Sequence, residues 1–326
     1  MTPKSGQGAM ARRRSAVPKS AEATALWLLT GDPAIRWQVL RDLVGAPPRM
    51  VERERRQVAE TGWGARLLAK QDPEGTWAGR LYTPKWTSTT YTMLLLRDLG
   101  LPSTNPQARR ACALLLDEGL QRDGGIDYSR GGCSETCITG MVLSILCYFD
   151  HDAPGVDTIA EHLLEQQMPG GGWNCRLPYG ATHASVHTTI SVLEGLRMYE
   201  LHRGRKLRAV RKAQKGGREF LLVHRMFRSH RTGKIIKPEF LRFSFPPRWH
   251  YDVLRGLDHF QEAGAPRDER LADAIDIVRR NQRANGRWPL QNRYKGRTFF
   301  ELERPGAPSR WNTLRALRVL RWWEGA

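Results

Sequence analysis

Hydrophobic and polar positions alternate along the chain in blocks. One kind of block is amphipathic: in 106–120, Ala111, Leu114 and Leu115 share a face, with Arg109, Arg110 and Asp117 opposite. The other kind is apolar nearly all round, as in 87–99, with Tyr91, Met93, Leu94, Leu95 and Leu96, and again in 135–149 and 186–199. Helical periodicity with one apolar stripe predicts a surface helix, and apolar character on every side predicts a buried one. Between the blocks lie glycine turns. Gln71-Asp-Pro-Glu-Gly-Thr-Trp77, Gln166-Gln-Met-Pro-Gly-Gly-Gly-Trp173 and Gln282-Arg-Ala-Asn-Gly-Arg-Trp288 each close on a tryptophan six positions after a glutamine. A weaker copy, Gln121 to Ile126, replaces the tryptophan by isoleucine, and Thr232-Gly233-Lys234 stands where another turn is due. Spaced copies of one turn mark a repeat fold.

The pattern gives six inner helices, beginning near Ala34, Trp86, Glu135, Val186, Trp249 and Arg310. Outer helices alternate with them, at 51–70 (broken near Gly62), 106–120, 156–167, 206–227 and 268–283, after a short helix at 21–29. Asp32-Pro33 is an N-cap followed by a first-turn proline. The expected fold is an all-α (α/α)6 toroid, a double ring of six inner and six outer helices, in a single domain over 20–326 after a disordered basic tail over 1–19. All inner helices then run the same way. Their N-terminal ends gather at one mouth, where unbonded N–H groups and helix dipoles favour anions.

Composition narrows the function classes. Among 326 residues are five cysteines in irregular spacing, which is not a disulfide framework, and the expectation is a cytoplasmic protein. No apolar run approaches the ~20 residues of a spanning helix. The net charge is +19, and 203–237 holds thirteen Lys or Arg against one acid, Glu219. That charge fits either a solvated outer face or attraction to phosphates, including peripheral contact with an anionic membrane. Nucleic acid is not an expected partner, because no recognised motif or aromatic ladder accompanies the charge.

The Gln–Gly–Trp turns resemble the QW-type repeats of squalene and oxidosqualene cyclases and the related repeats of protein prenyltransferase β subunits. The resemblance runs from about residue 21 to the C-terminus. It implies the toroid and an isoprenoid, or its diphosphate, as hydrophobic ligand. Class II terpene cyclases carry Asp-x-Asp-Asp at an inner helix start; the place that looks equivalent reads Ser134-Glu135-Thr136-Cys137, which leaves Glu135 as the acid. Prenyltransferase β subunits hold zinc with Asp-x-Cys and a later helix-opening His. Glu135-Thr-Cys137 looks like the first, with a longer ligand arm, and His187-Thr-Thr-Ile-Ser-Val-Leu-Glu-Gly-Leu196 is similar to the second.

Candidate chemistry follows at the same mouth. A catalytic zinc takes three protein ligands and leaves one position open. Glu135, Cys137 and His187 supply three, with Cys175 as an alternative ligand in the glycine turn and His183 and His250 as others. Residues two apart share a face only in an irregular first turn. Glu135, Asp252 and His250 are the candidate acid–base groups. Trp37, Trp86, Trp249 and Trp311 are candidate walls for an isoprenoid, with sugar stacking and core packing as competing uses. Arg248 and Arg310 are candidate diphosphate holders, or caps on neighbouring carbonyls. The function expected is prenyltransferase- or terpene cyclase-like; the alternative is a toroid that binds a hydrophobic ligand or a protein without catalysis.

Overall fold

The structure, a computed structural model, describes residues 19–129, 132–204 and 207–325. The tail expected to be disordered therefore lies outside the described residues, as does Gly131 of the turn before Glu135. The protein is all-α. Its thirteen α-helices among the described residues are α1 (Lys19–Leu29), α2 (Pro33–Val39), α3 (Pro48–Glu60), α4 (Gly62–Leu68), α5 (Thr89–Leu99), α6 (Pro106–Asp117), α7 (Thr136–Tyr148), α8 (Pro154–Glu165), α9 (Val186–Arg203), α10 (Arg208–Val223), α11 (Val253–Glu262), α12 (Ala272–Arg280) and α13 (Arg310–Glu324). A π-turn, Leu40–Val44, extends α2 to Gly45, whose positive φ ends it. No described helix is long and apolar enough to cross a membrane.

The predicted inner helices are α2, α5, α7, α9, α11 and α13. They touch in cyclic order: α5 packs on α7, α7 on α9, α9 on α11, α11 on α13, and α13 returns to α2. Trp37 and Gln38 of α2 close the remaining gap by donating to the carbonyls of Leu99 and Asp98 at the end of α5. Near-complete burial of α5 and α7 accounts for their apolar character on nearly every side. The tightest seam is α7 against α9. There a Cβ on Gly195 would stand 2.5 Å from the carbonyl oxygen of Gly140, so only glycine permits the approach.

The repeated turns are built alike. Trp77, Trp173 and Trp288 are fully buried, and each indole N–H donates to a carbonyl ten residues earlier, on Leu67, Leu163 and Val278. Each tryptophan's backbone N–H donates to a threonine hydroxyl at or near the start of the next inner helix, Thr89, Thr189 and Thr313. Ile126 makes the same bond to Thr139, so the weak copy keeps the backbone half of the motif without the indole. The turn thus ties each outer helix to the following inner one.

The N-terminal end of the inner ring is not open. The segments 224–252 and 281–309 lie over it and bond to the helix starts. Asn312 donates to the carbonyls of Phe243 and Pro289, and Trp86 and Arg297 exchange backbone bonds across 85–86 and 297. These segments displace two expected starts: α5 begins three residues after Trp86 and α11 four after Trp249.

Asp252 is the N-cap that starts α11. One carboxylate oxygen accepts from the Arg255 N–H and the other from the Ser244 N–H and hydroxyl, at zero exposure. With both oxygens engaged it is built as a structural cap. Asp252→Ala is expected to cost about 2 kcal/mol in a urea titration, the sum of a lost cap and a stranded Ser244.

Candidate functional site

Two groups of predicted residues come together beneath the covering segments. The first surrounds Arg248. Its guanidinium lies over the Trp86 ring, 5.5 Å from the centroid, in a pocket completed by Phe245, Leu290, Tyr294, Phe299 and Phe300. Among the described residues no carboxylate or carbonyl hydrogen-bonds to it. Burial lowers its pKa to about 10 despite the opposing charge of Asp98. The side chain stays partly open to solvent, so the guanidinium is a half-buried cation, without a carboxylate or carbonyl partner, that an anion can reach. The pocket encloses about 50 Å³, bounded by the segment 293–303. Trp86 fastens that segment through its indole N–H to the carbonyls of Tyr294 and Lys295, and Arg66 stacks on Phe300.

The second group contains the thiols. Glu135 is the residue before α7 and Cys137 lies in its first turn, the arrangement that lets residues two apart converge. The Cys137 thiol donates to Cys175 in the glycine turn. That bond, helped by the Thr188 hydroxyl, lowers the Cys175 pKa to about 6 against the opposing cost of burial, while Cys137 is pushed up. One proton is thereby shared, with Cys175 carrying the thiolate. Burial and the charge of Asp127 raise Glu135, with Lys85 opposing. The Lys85 ammonium stands 5.4–5.9 Å from the ring centroids of Tyr82, Trp86 and Trp249. Alkylation of Cys175 by iodoacetamide is expected to rise with a midpoint near pH 6. Cys137→Ala is expected to move the midpoint up by removing the donor, as read by peptide mass spectrometry.

Tyr91 joins the two groups. Its phenol donates to Tyr82, its ring meets Trp86 edge-on at 4.8 Å, and it feels both the Cys137 thiol and the Arg248 guanidinium.

The histidines are held as neutral aromatic rings. His250 is stacked between Trp249 at 3.7 Å and Tyr294 at 3.5 Å, and burial lowers its pKa to about 3. His187 is lowered to about 4, first by burial and then by Lys237 and Arg255. Its Nδ1 accepts the backbone N–H of Tyr251 at 2.9 Å, so the neutral ring carries its proton on Nε2 and keeps no free lone pair for a metal. No three His, Cys, Asp or Glu residues lie close enough together to hold a metal ion among the described residues. The four residues expected to ligate zinc thus separate into a bonded thiol pair with Glu135 beside it and a histidine engaged elsewhere. They do not fit a zinc centre.

Other expected residues lie apart. Arg310 donates to the Trp27 carbonyl and covers the Trp27 ring, capping α1. Trp37 lies under Arg41 and Arg55, and Trp311 is stacked on Phe245 at 4.0 Å. Both tryptophans line a different space: a central cavity of about 460 Å³ reached by the later turns of all six inner helices.

That cavity is strongly charged rather than apolar. Glu194 takes both nitrogens of Arg255 at 2.8 and 2.9 Å, with Arg97 at 3.6 Å. Asp258 bridges Arg315 and Arg318, and Arg318 reaches on to Asp42 and Gln38. Arginines also cap the helix ends: Arg55 donates to the Gly100 carbonyl, Arg197 to Glu262, and Arg321 to Asp42 and Leu43. Guanidinium groups at helix C-termini complement the dipole, which gives part of the chain's high arginine content a structural use. The signal in the sequence was ionisable residues within the inner helices: Arg97, Glu194, Arg255, Asp258, Arg315 and Arg318.

No family model and no curated protein matches the chain. Solved structures similar to it include a protein from Actinoplanes, at 16% identity and TM-score 0.48, covering 94% of this chain and 100% of that one. They also include the type II terpene cyclase MstE from Scytonema, at 14% identity and TM-score 0.34 over 82% of this chain and 96% of that one. A structure of MstE in complex with its product, merosterolic acid A, gives 14% and 0.33 over 83% and 96%. At such values, fold and function rest on this chain's own residues.

Proposed function

We propose that the protein is an enzyme, similar in kind to prenyltransferases and terpene cyclases, that acts on a small hydrophobic molecule with an anionic head, of the isoprenoid diphosphate class. The observation that carries this is the half-buried guanidinium of Arg248, without a carboxylate or carbonyl partner among the described residues, in a pocket lined also by Trp86, Phe245, Phe299, Phe300 and Leu290. A charged head bonds to Arg248, and the apolar body packs along the rings. The pocket's small volume means that 293–303 moves outward on binding, as substrate-closed segments do.

Acid and base stand beside this pocket. Glu135, with its pKa raised, is the group able to supply a proton, and Cys175, a thiolate near neutral pH, is the group able to take one. Together they provide for a proton transfer during cyclisation or transfer of the isoprenoid. A carrier that binds without turnover is the second reading, favoured because the thiols flank the pocket rather than line it.

Isothermal titration of farnesyl diphosphate, farnesol and inorganic pyrophosphate, with chromatographic assay of ester consumption and of pyrophosphate release, tests both. The enzyme reading expects the diphosphate ester to bind more tightly than either fragment and to be consumed, with consumption lost in Glu135→Gln. Tight binding without consumption selects the carrier. No preference for the ester removes both.

A further inference from the structure

The central cavity is separate from the Arg248 pocket, and its chemistry is different. Its volume of about 460 Å³ falls in the range of small-molecule sites. Every arginine lining it is bonded to a carboxylate, a carbonyl or a side-chain oxygen, so its positive charge is spent within the protein. The polar atoms left without a protein partner are concentrated on the last turn of α11. They are Asp258 Oδ1, Gln261 Oε1 and both ring nitrogens of His259, a residue only 2% exposed. Arg318 Nε and Trp311 Nε1 are further unbonded atoms in the wall, both donors and both on α13 rather than α11.

Burial lowers the His259 pKa to about 3, so the ring is neutral and offers one acceptor and one donor. Acceptors therefore outnumber donors where α11 ends. Three carboxylates, Glu194, Asp258 and Glu262, crowd the same wall. The C-terminal ends of the inner helices add partial negative charge. The aromatic faces in the wall are already covered, Trp37 by Arg41 and Arg55 and Trp311 by Phe245, so a flat ring has nothing to stack on.

We propose that the central cavity is a binding site for a small aliphatic amine in its ammonium form, held by Asp258 Oδ1 and Gln261 Oε1. An ammonium brings three donors and no acceptor, the complement of that wall. The site stands independently of the isoprenoid reading, since it shares neither Arg248 nor the thiols.

The test is titration of the full chain with putrescine, followed by calorimetry and thermal melting, with inorganic phosphate as the anionic control. A chain of net charge +19 repels diamines elsewhere on its surface, so saturable binding reports the cavity. Putrescine is expected to bind one per chain and raise the melting temperature. Gln261→Leu is expected to weaken it about 10-fold, and Asp258→Asn by more. Asp258 also holds Arg315 and Arg318, so its variant is sensitive to misfolding. Gln261 Oε1 holds nothing, and that variant keeps the test decisive. No saturable putrescine binding, or binding indifferent to Gln261→Leu, overturns the proposal. So does phosphate binding that depends on Asp258 and Gln261.

Discussion

Glu194→Leu is expected to destabilise the protein by about 4 kcal/mol. Glu194 projects from the middle of α9 and receives a bidentate pair from Arg255, whose side chain is 4% exposed, with Arg97 behind it. Removing the carboxylate strands a buried guanidinium, left with the His250 carbonyl as its one hydrogen-bond partner among the described residues. The double variant Glu194→Leu/Arg255→Met is expected to recover much of the loss, because the penalty lies in the unpaired charge rather than in the pair's net worth. The pH dependence follows. Burial pushes the Glu194 pKa up, but the charges and hydrogen bonds of Arg255 and Arg97 override it and hold the carboxylate at about 2, below its ordinary 4.5. The stabilisation is complete above pH 4.5 and is lost as pH falls toward 2. Urea midpoints across that window are expected to fall more steeply for wild type than for the double variant. Equal slopes would mean that the pair is not closed in solution.

Arg248→Ala is expected to weaken farnesyl diphosphate binding about 100-fold while leaving the melting temperature largely unchanged. The two halves belong together. A half-buried guanidinium without a carboxylate or carbonyl partner adds little to folding, so its removal leaves stability largely unchanged; with an anion bound, the same group is the main source of charge-assisted hydrogen bonds. Arg248 has φ of +60°, a conformation that alanine shares at similar strain, so the substitution tests the side chain alone. Arg248→Lys is expected to fall between, since an ammonium keeps the charge but not the planar fork. A variant that binds the diphosphate normally but melts lower would make Arg248 a structural residue.

Much of the fold was legible because its devices are local. The Gln–Trp turn closes within seven residues, and α2 and α6 are capped within their own sequence by Asp32 and Asn105. Among the inner helices, the starts of α5 and α11 were misplaced. The segments leading into them are held by contacts over 200 residues away or by Asp252 and Ser244, which no periodicity records.

The site was legible in part. Glu135, Cys137 and Cys175 converge because each sits at the same end of adjoining elements, as the turn grammar implies. His187 sits at the expected place, yet its chemistry is set by the Tyr251 N–H, 64 residues on. The charged cavity was hidden for the same reason. The charged residues of α11 and α13 show no partner in the sequence, and the pairing of Arg318 with Asp42, 276 residues apart, exists only after α13 returns to α2.

The most direct test of the account is a crystal structure of the protein grown with farnesyl diphosphate. The account predicts the diphosphate bonded to Arg248, the chain lying along Trp86 and Phe245, and 293–303 displaced outward. Diphosphate bound on the basic face of 203–237, with the Arg248 pocket unchanged, would contradict it.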